Sequence, residues 1–278
     1  MATWRLTIEY DGRAFSGFQT QPNAPTVQAT LEAALSHHFH VERVIVNGSG
    51  RTDAGVHALG QVITFRADEP RDPNKLRMGL NTALPPEISV IDARVVPDRF
   101  HARFSALGKT YRYRMLERRD RSPFSHGYAL HLKRPMSWRA IEAALPALVG
   151  THDFSTFRGA GCTARSPIRT IDRAEHIDLG GGEHHLVFHG NGFLRYQVRR
   201  MVGTLLEIGD GRRPPEALAA ALAARDPSQA GRTARPHGLY LVSVDYPPDA
   251  ALSATEAPPG PGGPELDPAS APEADLLD

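Results

Sequence analysis

Apolar and polar residues alternate at the start of the chain, where Trp4, Leu6, Ile8 and Tyr10 interleave with Arg5, Thr7 and Glu9. A period of two predicts a half-buried strand. Short apolar runs at 44–46 and 61–65 predict two more. After Thr26, which stands where an N-cap belongs, Val27, Leu31, Ala34 and Leu35 follow a helical period. Further on, helices are predicted over 74–82, 137–148, 195–208 and 215–225, and strands over 88–96, 169–177, 185–188 and 239–246. On a strand around 111, Tyr111, Tyr113 and Met115 share one face, and Thr110, Arg112 and Arg114 the other. The sum is an α+β chain of two successive halves, 1–105 and 106–246, with much antiparallel sheet.

In the 195–208 helix, Val198, Met201, Val202, Leu205 and Leu206 form an apolar stripe. Arg195 and Arg199 fall on one edge of it, and Arg200 points away. A half-buried Arg199 needs an anion, and Asp53 is the carboxylate assigned to it. Arg195 and Arg200 read as solvated or phosphate-facing charges.

The chain has 278 residues, enough for a sizeable core or two ordinary domains. No apolar run is long enough to cross a bilayer, and the start lacks the pattern of a signal peptide. A single cysteine, Cys162, fits a cytoplasmic, reducing compartment and reads as a packing residue. The 32 Lys and Arg face 31 Asp and Glu, but seven of those acids lie in residues 247–278, which carry no base. The body is therefore basic, as suits a partner with a phosphate backbone. The tail, rich in Pro and Ala and poor in large apolar residues, is expected to be disordered. The histidines at 37, 38 and 40, and at 184, 185 and 189, lack a zinc-like spacing, so no metal is expected.

Chemistry concentrates between the predicted strands at 44–46 and 61–65. Gly48, Gly50 and Gly55 surround Arg51, Thr52 and Asp53, in a stretch where the backbone can approach a ligand closely. An Arg-Thr-Asp triplet beside Gly also suits an Asx-type turn. The stretch is neither a P-loop nor a dinucleotide fingerprint, since Gly-Lys-Ser/Thr is missing and Asp53 stands where a third Gly would be.

From Gly50 to Ala58 the loop resembles the signature of the tRNA pseudouridine synthase A family. Further pieces follow in family order: Tyr10-Asp11-Gly12 with Phe15 to Gln19, Phe100 to Ala106, Lys109 to Tyr113, Asp153 to Arg158, Gly190 to Leu194, Val198 to Gly203, and Ala234 to Leu241. The resemblance implies the pseudouridine synthase fold, with two ferredoxin-like halves, a central antiparallel sheet, helices outside and a cleft between the halves. It implies isomerisation of uridine at positions 38, 39 and 40 of the tRNA anticodon arm, without cofactor, by a homodimer. Asp53 would be the catalytic carboxylate, acting as nucleophile and paired with Arg199. Tyr111 would stack on the uracil and assist loss of the C5 proton, Arg51 would help extrude the nucleotide, and Leu239 would pack beside the base. Gln197 departs from the family, which more often has Met there. A synthase with another RNA target, or a non-catalytic RNA-binding protein, would share much of this pattern.

Overall fold

The structure, a computed structural model, describes residues 1–67 and 72–248; most of the expected disordered tail lies outside the described residues. Strand β1 (Ala2–Tyr10) lies between β3 (His57–Ala67) and β4 (Ile88–Val96), antiparallel to both. Its apolar face packs across strands: Trp4 pairs with Phe65 in register, and their rings stack. Helix α1 (Val27–Phe39) is capped by the Thr26 hydroxyl, which accepts from Ala29 N, and buries Val27, Leu31 and Leu35. Helix α2 (Pro73–Ala83) starts at Asp72, whose carboxylate accepts from the Asn74 and Lys75 amides.

The expected strand at 44–46 does not form. Its backbone is taken up by α1 side chains instead: Ser36 Oγ accepts from Val44 N, Glu32 from Val46 N, and Gln28 donates to Val46 O. Pairing begins one residue later, in β2 (Asn47–Gly48) against β3.

The chain continues through β5 (Gly108–Glu117), β6 (Leu130–Leu132), α3 (Trp138–Ala144), β7 (Gly150–Asp153), β8 (Ile168–Asp178), β9 (Glu183–Gly190), α4 (Gln197–Gly209), α5 (Ala217–Ala224) and β10 (Leu239–Asp245). The expected helix over 137–148 becomes 3-10 at Leu145, where Pro146 has no N–H for an α-helical bond. All these strands join one sheet in the order β4-β1-β3-β10-β5-β9-β8-β7, with β2 on β3 and β6 on β5.

Two ferredoxin-like arrangements sit side by side in that order. Strand β1 lies between β4 and β3 in the first, and β5 lies between β10 and β9 in the second. They join where β10 runs briefly parallel to β3, Tyr240 beside His57 and Leu241 beside Ala58. The chain leading into β3, the strand β5 and the start of β10 therefore converge on one place. One continuous core runs beneath both halves, from Trp4 and Phe65 to Phe188, Met201 and Leu205.

Candidate active site

The loop before β3 is held from several sides. Ser49 N donates to Val62 O at 2.8 Å, and Phe18 N donates to Thr52 O at 3.1 Å. The Thr52 and Tyr10 hydroxyls share a buried hydrogen bond of 2.8 Å. Gln61 bridges the loop, accepting from Ser49 Oγ and donating to Gly50 O. Gly17 has a positive φ of 103°, and a Cβ there would lie 2.8 Å from Thr52 O. Only glycine lets this turn rest against the loop.

Asp53 Oδ2 accepts from Arg199 Nη1 at 2.9 Å. The second carboxylate oxygen, Oδ1, has no hydrogen-bond partner among the described residues. Arg199 is gripped at its other end as well, since Nε donates to Ala234 O at 2.8 Å. Its guanidinium also lies 5.0 Å from the centre of the Tyr196 ring. The Asp53 and Arg199 side chains are 22% and 13% exposed, so the pair is sheltered but open on one side.

A cleft of about 770 Å³ opens on that side. Asp53, Tyr111, Arg199, Arg51 and Leu239 all line it, as do the cations Arg103, Lys109, Arg169 and Arg195. Asp53 is the one acid among the lining residues.

Each assigned residue has a distinct environment. Tyr111 is buried, meets Phe193 edge to face at 5.1 Å between ring centres, and is flanked in register by Leu241 and Phe188. Burial pushes its phenol pKa up, with Tyr10 and Asp53 adding to the effect. It stays protonated at neutral pH, so it is a poor proton acceptor. Leu239 is almost wholly buried and shows the cleft only an edge. Arg51 is exposed.

An arginine neighbour alone would lower the pKa of Asp53. Here the direction is reversed: burial raises it, and the hydrogen bond and charge of Arg199, with the charge of Arg195, only partly pull it back. Arg200 is also placed differently from expectation. It donates to Arg158 O at 2.6 Å and to Pro227 O, so it is a structural tie rather than a phosphate-facing charge.

The helix carrying Arg199 begins at Gln197, because Tyr196 takes a left-handed conformation, φ 63°. Arg195 therefore lies outside the helix, over the Tyr196 ring, and donates to Ala160 O. Gln197 is fully buried, and its Oε1 accepts from Leu194 N at 2.8 Å. Cys162 packs against the core from a half-buried position on the cleft wall.

Lys109 and Arg103 have no role in the sequence reading. Lys109 stands at the head of the face shared by Tyr111 and Tyr113, an unusual place for a charge, and that position was the available signal.

A family model described as tRNA pseudouridine synthase matches residues 6–105 and 144–247. Curated relatives named tRNA pseudouridine synthase A agree. One from Streptococcus thermophilus is 44% identical over 88% of this chain and 100% of its own length. One from Caulobacter is 45% identical over 88% of this chain and 98% of its own. The chain belongs to the tRNA pseudouridine synthase A family. It is a pseudouridine synthase, an isomerase of tRNA uridine.

Another family member, from Lactococcus lactis, is 43% identical over 89% of this chain and 98% of its own. A looser likeness, with TM-score 0.32 and 11% identity over 73% of this chain and 44% of the other, is to the archaeal box H/ACA sRNP Nop10-Cbf5 complex; at that score it carries no functional inference. In a pseudouridine synthase the N1–C1′ bond is broken and a C5–C1′ bond made, with a proton moving from C5 to N1.

Proposed function

We propose that this synthase converts uridine to pseudouridine at positions 38, 39 and 40 of the tRNA anticodon arm, with Asp53 as nucleophile and no cofactor. The observation that carries this reading is the Asp53–Arg199 pair at 2.9 Å, in a cleft whose other lining charges are cationic. Arg199 holds Oδ2, and Oδ1 has no donor among the described residues, so Oδ1 is the reacting oxygen. An anion at Oδ1 serves each route open to the chemistry: attack on C1′, addition to C6, or removal of the C2′ proton.

The target base must leave its stack to reach this depth. Tyr111 then receives the uracil against its ring, the edge of Leu239 limits its travel, and Arg51 fills the space it vacates. The basic walls attract the phosphates on both sides. The working unit is a cytoplasmic homodimer with one tRNA touching both subunits, and the division at 105/106 separates the two halves that clasp the site.

The test is carbodiimide mapping of pseudouridine on unmodified tRNA treated with the protein or with Asp53→Asn. New marks at 38–40 that vanish with the variant support the reading. Marks elsewhere would move the target, and bound but unmodified tRNA would leave a binding protein.

A further inference from the structure

Arg103 is the hub of a cluster of cations to which no carboxylate is paired among the described residues. Its charge, after burial, is the leading cause holding down the pKa values of Arg51 and Lys109, and it also lowers that of Arg169. Lys109 is the most telling member, being half-buried at the cleft wall with its ammonium pushed down to about 8. Its Nζ donates to Ser49 O at 2.6 Å, and a carbonyl does not neutralise it. Arg169 is tethered through Nη1 to Ser166 O and Ile168 O, which leaves the rest of its guanidinium for other acceptors. The Arg103 guanidinium has no hydrogen-bond acceptor among the described residues. Clustered cations, two of them half-buried and two exposed, that repel one another and have no acid paired to them among the described residues make a site suited to an anion.

Phe104 stands beside this cluster in the same cleft. It is 52% exposed, unusual for a phenylalanine on the wall of a polar cleft. It is nevertheless held in place. Its ring rests on His101 at 4.4 Å between centres, and the Arg103 guanidinium lies 5.6 Å from its own centre. His101 Nδ1 accepts from the Arg103 and Phe104 amides at 3.0 and 3.4 Å, while His101 N donates to Ser105 Oγ. The loop is thus closed on itself, with one aromatic face presented outward. Such a face next to cations is how proteins hold an unstacked base.

We propose that Lys109, Arg103, Arg169 and Phe104 form a second nucleotide subsite, for a residue flanking the reactive uridine: the cations take its phosphate and Phe104 stacks on its base. This rests on the reading that tRNA enters this cleft. The subsite would keep the strand open beside the target, so that the flipped uridine does not re-pair before it reaches Asp53.

The test is tRNA binding by the full chain, with single abasic residues placed in turn through the anticodon arm. Phe104→Leu is expected to weaken binding by about 5- to 100-fold, and Phe104→Trp to restore it. One abasic position should weaken the parent protein by the same factor and cost Phe104→Leu nothing more, because both changes remove one stack. Arg103→Gln should reduce the salt slope of binding by about one. Binding by Phe104→Leu equal to the parent, or losses that multiply at every abasic position, would overturn the subsite, and so would a failure to bind tRNA. Tight binding without pseudouridine formation would instead remove the catalytic reading, and the abasic comparison would still decide the subsite.

Discussion

The ammonium of Lys109 donates to the carbonyl of Ser49 at 2.6 Å, which ties the strand carrying Tyr111 to the loop carrying Asp53. The two residues are sixty positions apart, so the bond fixes the distance between the Tyr111 ring and the Asp53 carboxylate. Its geometry explains why a charge is tolerated at the head of an apolar face.

Lys109 should leave a signature in the pH dependence of stability. Burial, then Arg103 and Arg169, hold its pKa at about 8 against an ordinary 10.5. Between those values the unfolded chain binds more protons than the folded one, so this group makes the protein more stable as pH rises. From pH 8 to 9.5 the gain is about 2 kcal/mol. Thermal unfolding of the parent and of Lys109→Met over this range should show the parent gaining relative to the variant. Parallel curves would mean an ordinary lysine. The window stops below pH 10 because phenols with raised values, such as Tyr10 at about 12, act in the opposite sense above it.

Asp53 and Arg199 predict a shifted acid limb. Since burial raises the carboxyl above 3.8 and Arg199 only partly offsets it, the single-turnover rate should begin to fall as pH drops while still above that value. Removing the cation in Arg199→Met should move the limb upward by about one to three units. A purely structural arginine would lower the rate without moving the limb. Asp53→Asn should cost roughly a thousandfold or more at every pH.

His189 predicts the opposite slope to Lys109. Burial alone would lower its pKa, but it bridges Asp172 through Nδ1 and Asp245 through Nε2, and together they raise it. The stabilisation is complete below the ordinary 6.5 and is lost as pH rises through the raised value. His189→Gln should therefore lose most at pH 6 and least at pH 9, with a difference in Tm of about 2–4 °C for a protein of this size. A constant difference across that range would exclude the charged bridge.

Much of this was legible because local pattern and tertiary role coincide. The stripe on α4 places Arg199 at the edge of the core, and the alternation on β5 sets Tyr111 apart from Arg112. Failures come where a distant partner decides. Residues 44–46 look like a strand, yet their amides are bound by Ser36 and Glu32 on α1. Arg200 looks solvated, yet two backbone carbonyls from other segments claim it. The raised carboxyl of Asp53 was illegible for the same reason, since burial depends on both halves closing around the loop.

The grip on Arg199 also passes through a glycine. Ala234 N donates to Arg199 O at 3.0 Å and Ala234 O accepts from Arg199 Nε, so residues 232–234 form the back wall of the ion pair. That segment crosses α4 at Gly203, where a Cβ would lie 1.7 Å from Arg232 O. No side chain can occupy that space, so Gly203→Ala must push the segment away and carry the Ala234 acceptor with it. The expected loss of stability is about 1–3 kcal/mol, as for other overpacked sites. Activity should fall further than folding explains, because the guanidinium loses the acceptor that aims it at Asp53. Single-turnover rates at a temperature where the variant is fully folded separate the two effects. A folded Gly203→Ala protein with the parent rate and an unmoved acid limb would show that Arg199 needs no back wall.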